Sequence, residues 1–191
     1  MKELLLIGTT IFTLATGSIT AGTAQGSTLP QTVRGDHVSV AMIHKAELKA
    51  QAKAKMLHEM KLQENTLKVT KAIKKLSSHV NKTWYVFSGA TPAGWDCSGL
   101  TMWFYEQVGI ELEHRASKQD TSGVQTKDPK PGDLVVFHYK GNSDAYHVGV
   151  YIGNGKMIHA PKHGHATRIE NINSFAGNYS NVTFRTILKT T

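Results

Sequence analysis

From residue 97 onward the apolar positions fall into step with a helix. Cys97, Leu100, Thr101, Phe104 and Val108 recur at intervals of three and four and so share one face. Asp96 stands where a capping carboxylate belongs, and Gly109 supplies the flexible residue that ends such a helix. Beyond the turn at Pro131-Gly132 the pattern changes, and "DLVVFHY", "HVGVYIG", "KMIHA", "ATRIENI" and "VTFRTIL" read as a run of strands. Between them, "EHRASKQDTSG" is a loop with short helical potential. Upstream, the stretch from Met42 to Lys82 is rich in Ala, Lys, Leu and Met and lacks Gly and Pro, a helix-forming composition. Its apolar positions Ile43, Ala46, Ala50, Leu57, Met60 and Leu67 follow a loose heptad. Lys53 and Glu64 interrupt that seam, which argues against a stable coiled coil. Helices followed by consecutive antiparallel strands predict an α+β fold, because adjacent hairpins need only short connections.

The first residues, "MKELLLIGTTIFTLATGSITAGTAQGS", place one lysine before an apolar stretch from Leu4 to Ala15 and then small residues, with a cut expected after Ala24. This is the layout of a secretory signal peptide, and the apolar run is too short and too broken for a membrane span. Residues 1–25 are therefore expected to be a signal peptide, 26–66 a basic linker and helical arm, and 67–191 the folded domain. An exported chain with a single cysteine has no internal disulfide, so its core must hold by burial.

The net charge of +8 over 191 residues is concentrated in the arm. From Met42 to Lys82 ten lysines face only Glu47, Glu59 and Glu64, whereas from Thr83 onward the balance is +1. Two readings stay open for this segment: a solvated spacer helix, or a cationic arm that holds the protein on an anionic wall polymer or membrane surface. No aromatic interleaving or nucleic-acid motif accompanies the charge, so nucleic acid is not an expected partner.

The lone cysteine raises the question of chemistry. At a helix start the positive end of the dipole favours thiolate over thiol; the alternative is a small buried hydrophobe. A cysteine nucleophile needs a base, and the base needs a third polar group to orient it. His147 in "AYHVGVYIG" and His159 in "KMIHAP" are the best candidates, the first opening a strand and the second on the next strand of the same hairpin. His159, His163 and His165 lie close together in "HAPKHGH", but no cysteine or carboxylate sits beside them at ligand spacing, so neither a metal nor another cofactor is expected.

"WYVFSGATPAGWDCSGL", "RAS", "KPGDLVVFHY" and "HVGVYIGNGKMIHA" resemble, in order and spacing, the motifs of the NlpC-type bacterial cell-wall peptidases, a compact papain-like cysteine peptidase family. The resemblance covers roughly Leu67 to Ile172. It implies a papain-like fold, with the nucleophile helix packed on an antiparallel sheet. It implies that Cys97 is the nucleophile, His147 the general base and acid, and His159 the orienting residue. By the same resemblance Tyr85 is a hydroxyl donor to the oxyanion, and Asp96 and Ser98 line the substrate cleft; both of the last two also serve as ordinary helix-start residues. The implied substrate is the stem peptide of peptidoglycan, cut commonly between γ-D-glutamate and the following diamino acid, by a secreted, wall-associated enzyme. Two alternatives remain: a non-catalytic wall-binding module of the same fold, and an amidase or acyl-transfer enzyme with the same three residues. The chain departs from the family pattern at Phe87-Ser88-Gly89, usually Trp-Gly-Gly, and at Leu112-Glu113-His114-Arg115, usually Leu-Pro-Arg.

Strand parity adds a geometric expectation. A plain two-residue turn at Asn154-Gly155 would set His159 opposite Val150 and turn it away from His147. A triad therefore requires a three-residue loop, Gly153-Asn154-Gly155, or an equivalent bulge. Gly155 would then have positive φ, and Gly149 would lie opposite His159, leaving room for the imidazoles.

Overall fold

A computed structural model describes residues 39–190. The expected signal segment and residues 26–38 of the expected arm lie outside these residues. The fold is α+β, with helices packed on an antiparallel sheet. Helix α1 (Val40–Ser77) leads through a two-stranded ribbon, β1 (Ala90–Thr91) and β2 (Gly94–Trp95), into α2 (Cys97–Glu106). A short α3 (Ala116–Gln119) precedes β3 (Val124–Thr126), β4 (Leu134–Tyr139), β5 (Ala145–Gly153), β6 (Lys156–His159) and β7 (Arg168–Asn171). Helix α4 (Ile172–Ala176) and β8 (Ser180–Thr186) complete the domain. The six-stranded sheet has the order β3-β8-β4-β5-β6-β7, antiparallel throughout. The expected run of hairpins holds from β4 to β7, whereas β8 returns across the sheet to lie between β3 and β4.

That return explains why β4 reads "LVVF" without alternation. Flanked by β5 and β8 and covered on both faces, it sends Leu134 and Val136 into one core and Val135 and Phe137 into the other. The larger core joins these to Leu100 and Phe104 of α2, Val148 and Val150 of β5, Ile158 of β6, and Val69 and Leu76 of α1. Each fully buried aliphatic or aromatic side chain there contributes about 1.5–3 kcal/mol. The smaller core, on the opposite face, is closed by Ile172 and Ala176 of α4.

Helix α1 is continuous, but only its last third meets the core, through Asn65, Val69, Ala72 and Leu76. Its earlier apolar residues, Ile43, Leu57 and Met60 among them, are exposed. Two of the glutamates of this segment pair with lysines, Glu59 with Lys55 and Glu64 with Lys61 and Lys68. Among the described residues no helix is long and apolar enough to cross a membrane.

Two tethers fix α2. Gln119, fully buried, accepts from the Thr101 hydroxyl at 2.6 Å and donates to the carbonyls of Ser98 and Glu113, tying α3 and its approach loop to the helix start. On the other side the loop before β1 approaches so closely that a β-carbon at Gly99 would overlap the Gly89 carbonyl. The glycine of "DCSG" is thus required by backbone approach.

Candidate active site

Asp96 caps α2 with extended backbone (φ −91°, ψ −174°). Its Oδ1 accepts from the Gly99 N–H at 2.8 Å, the Ser98 hydroxyl at 3.1 Å and His114 Nε2 at 2.9 Å, and its Oδ2 accepts from the Ser88 N–H at 3.0 Å. This carboxylate holds together the helix start and both segments in which the chain departs from the family pattern. Ser88 has φ +57°, a left-handed conformation suited to the glycine usual there, and its N–H is aimed at Asp96. His114, not among the expected site residues, is a direct partner of Asp96, and its signal in the sequence is the departure from the family pattern. Removing the carboxylate by Asp96→Ala deletes the cap and orphans several donors, and a stability loss on the order of 2–4 kcal/mol is expected in urea unfolding. Asp96→Asn should fall between, because its amide can still cap Gly99 but turns an N–H toward that of Ser88. A loss under about 1 kcal/mol for the alanine variant would mean that water replaces the carboxylate readily.

Cys97 begins α2 as expected, half-buried. The backbone N–H groups of Val148, Ser98 and Cys97 itself favour its anion, and the helix packs on the strand that carries His147. Burial nevertheless pushes the thiol up to about 11, with the Asp96 charge adding to the rise. Two effects thus oppose each other at the thiol: the N–H groups at the helix start favour the anion, as expected, while removal from water disfavours it and is the larger. Tyr85 sits near both groups. Burial first, then negative charge at Cys97 and Asp96, holds its hydroxyl above the ordinary range, so it stays a donor. Ser98 is buried and turned into Asp96.

The histidines meet because of the hairpin. Asn154 and Gly155 both have positive φ (+52° and +66°), a two-residue turn that pairs Gly153 with Lys156, and the register then shifts between Tyr151 and Gly153. This bulge at Ile152 is the equivalent of the three-residue loop: Val150 pairs with Ile158, and Gly149 comes opposite His159. A β-carbon on Gly149 would lie 2.9 Å from Met157 Sδ and 3.2 Å from His159 Cβ, so only glycine leaves room. His147 Nε2 and His159 Nδ1 are 2.8 Å apart, with rings nearly perpendicular. Phe175 of α4 packs on both, with ring centres at 4.7 and 4.8 Å, and Phe137 flanks His147 at 5.7 Å. Inside this aromatic box burial pushes His147 down to about 3, against the opposing pull of Asp96, and His159 down to about 2, with the charges of His147 and Arg168 adding to the fall. Both rings are therefore neutral. His159 Nε2 in turn bonds Glu170 Oε2 at 3.0 Å.

The structure thus brings Cys97, His147, His159, Tyr85, Asp96 and Ser98 to one end of the sheet. A thiol at the start of a helix packed on β5, and on β5 an imidazole backed by a second imidazole, are the groups that acyl transfer through a thioester uses.

Comparison with known proteins places the chain in a family. A sequence model of the NlpC/P60 family matches residues 82–186. Murein DD-endopeptidase MepH of Escherichia coli is 37% identical over 121 residues, 60% of this chain and 43% of its own length. Probable endopeptidase p60 of Listeria monocytogenes is 38% identical over 94 residues, 48% of this chain and 19% of its own. The chain spans less than half the length of these curated relatives. Among solved structures, the NlpC/p60 domain of the peptidoglycan hydrolase SagA superposes with a TM-score of 0.54 at 28% identity, over 62% of this chain and 98% of that one. An NlpC/P60 family protein from Bacillus cereus gives 0.57 at 29% identity, over 63% of this chain and 40% of that one.

Proposed function

The chain belongs to the NlpC/P60 family, and from that premise we propose that it is a secreted cysteine endopeptidase that hydrolyses stem-peptide amide bonds of peptidoglycan. In this reading residues 1–25 are the signal peptide and 67–191 the catalytic domain. The observation that carries it is the 2.8 Å bond between His147 Nε2 and His159 Nδ1 behind the thiol of Cys97, since a wall-binding module has no need of that arrangement.

The reaction follows from the geometry. Thiol and imidazole are both neutral at rest, so the Cys97 proton passes to His147 as sulfur attacks the scissile carbonyl. The oxyanion is met by the backbone N–H groups at the start of α2 and by the Tyr85 hydroxyl. The imidazolium then gives its proton to the departing amine, and water activated by the same ring cleaves the thioester, restoring the thiol. Ser98 is buried against Asp96 and does not line the cleft as expected; Asp96 stands next to the nucleophile in the chain, and its negative charge attracts an incoming stem-peptide amine.

The bond we favour is γ-D-glutamyl to diamino acid. A second reading, cleavage of a D,D cross-link, is supported by similarity to a murein DD-endopeptidase over 60% of the chain. Digestion of purified peptidoglycan followed by mass spectrometry of the new amino termini decides between them. Release of glycan from intact peptides would instead identify an amidase, and products joined to an added amine an acyl-transfer enzyme. Binding to walls with no new amine would leave only a binding module.

For α1 we propose a role in holding anionic wall polymers. Changing Lys45, Lys49, Lys53 and Lys55 to Gln in the full chain should weaken sedimentation with purified walls at low salt. The difference should vanish when the Debye length drops to about 3 Å near 1 M salt. Equal sedimentation at low salt would leave α1 a spacer.

A further inference from the structure

The hydrogen-bond chain that starts at His147 does not stop at His159. Glu170, on β7, closes it at 3.0 Å from His159 Nε2. Register explains the meeting: His159 pairs with Arg168, and Glu170, two residues on, projects from the same face of the sheet. The Arg168 guanidinium lies 4.0 Å from the Glu170 carboxylate, which remains partly open to solvent.

A carboxylate can only accept, so the proton between these groups sits on His159 Nε2. A neutral imidazole carries one N–H, so His159 Nδ1 is then bare and acts as an acceptor. Its partner across 2.8 Å, His147 Nε2, must therefore be the donor. That leaves the lone pair of His147 on Nδ1, which has no hydrogen bond from the protein. Among the described residues no fully buried side-chain nitrogen lacks a partner, so this atom is the open edge of the ring. Reversing the chain would put a proton on His147 Nδ1 and leave no base to take one from the thiol. Neither imidazole alone specifies the direction; the carboxylate does. Resting on the reading of His147 as the base, we propose that Glu170 is a positioning residue that orders the tautomers of His159 and His147 in series and so turns the lone pair of His147 Nδ1 to the cleft.

The test combines side-chain 15N NMR of the full-length protein with kinetics of Glu170→Gln and Glu170→Asp. In the unsubstituted protein both rings should carry the proton on Nε2. Gln can offer His159 either an acceptor or a donor, so Glu170→Gln should populate the reversed tautomers. Because it acts one imidazole away from the base, the loss should be smaller than the roughly 10⁴-fold of a wrong-tautomer variant at a directly bonded carboxylate: about 10–100-fold in kcat, with KM within about twofold. Glu170→Asp, which keeps an acceptor, should restore the tautomers and part of the rate. A proton on His147 Nδ1 in the unsubstituted protein would overturn the proposal, as would unsubstituted-like tautomers and kcat in Glu170→Gln. Should the protein fail to cleave peptidoglycan, the endopeptidase reading falls, while the NMR pattern still decides the tautomer order.

Discussion

Cys97→Ala is expected to abolish hydrolysis, by about 10⁵-fold or more, while the protein stays folded. The loss is so large because no other nucleophile stands at the start of α2: Ser98 is buried and committed to Asp96. The fold tolerates the change because only a half-buried sulfur is removed and the Asp96 cap is untouched, a cost of about 1 kcal/mol or less. Turnover on purified peptidoglycan and a thermal melt measure the two effects, and substantial wall-lytic activity in this variant would remove Cys97 from the mechanism. The state of the thiol can be tested in the unsubstituted protein. With the thiol raised to about 11 by burial, only a small fraction is thiolate near neutrality. Alkylation by iodoacetamide should then accelerate about tenfold per pH unit between roughly pH 6 and 9. A rate already level at the lower end would mean that Cys97 and His147 rest as an ion pair.

His147→Ala is expected to be nearly as damaging, on the order of 10⁴-fold in kcat, because it leaves a high-pKa thiol without a proton acceptor and a leaving amine without a donor. It should also reduce stability, unlike Cys97→Ala. The ring is enclosed by Phe137 and Phe175, and its removal leaves a cavity and strips His159 Nδ1 of its hydrogen-bond partner. Together these should cost about 3 kcal/mol. His159→Ala should lie above it in rate, since the base survives without its orienting partner. A His147→Ala enzyme within tenfold of normal would require a different base.

How much of this was legible in the sequence depends on how local each cause is. The α2 helix and its cap announce themselves in the spacing of the apolar positions and in Asp96, and strands β4 to β7 in short apolar runs set between turn residues, β4 without alternation because both of its faces are buried. Parity, once both histidines are assigned to one site, required a three-residue loop or an equivalent bulge; the structure has the bulge, at Ile152. Strand β3 is three residues, two of them exposed, and has no pattern to read; it exists because β8 offers it an edge. Helix α4 is five residues long, too short for a period, yet it supplies the phenylalanine that seals the histidines. The partnership of Glu170 depended on where β7 would register against β6 after an irregular loop. The thiol's protonation was a contest between two opposing effects, and sequence shows the helix start while hiding how closely the sulfur is packed.

The uninterrupted course of α1 gives the protein a fixed reach. Val40 to Lys61 form an exposed stretch that spans about 33 Å at 1.5 Å per residue. At its other end the helix runs into His79, which packs on Trp95 and Trp103 beside the start of α2. A flexible tether would let the cleft sample every distance up to its full length, most often the short ones. A rod held through Lys45, Lys49, Lys53 and Lys55, as proposed, would instead keep the cleft at a set standoff, so that substrates would be selected by their distance from the point of attachment as well as by their chemistry.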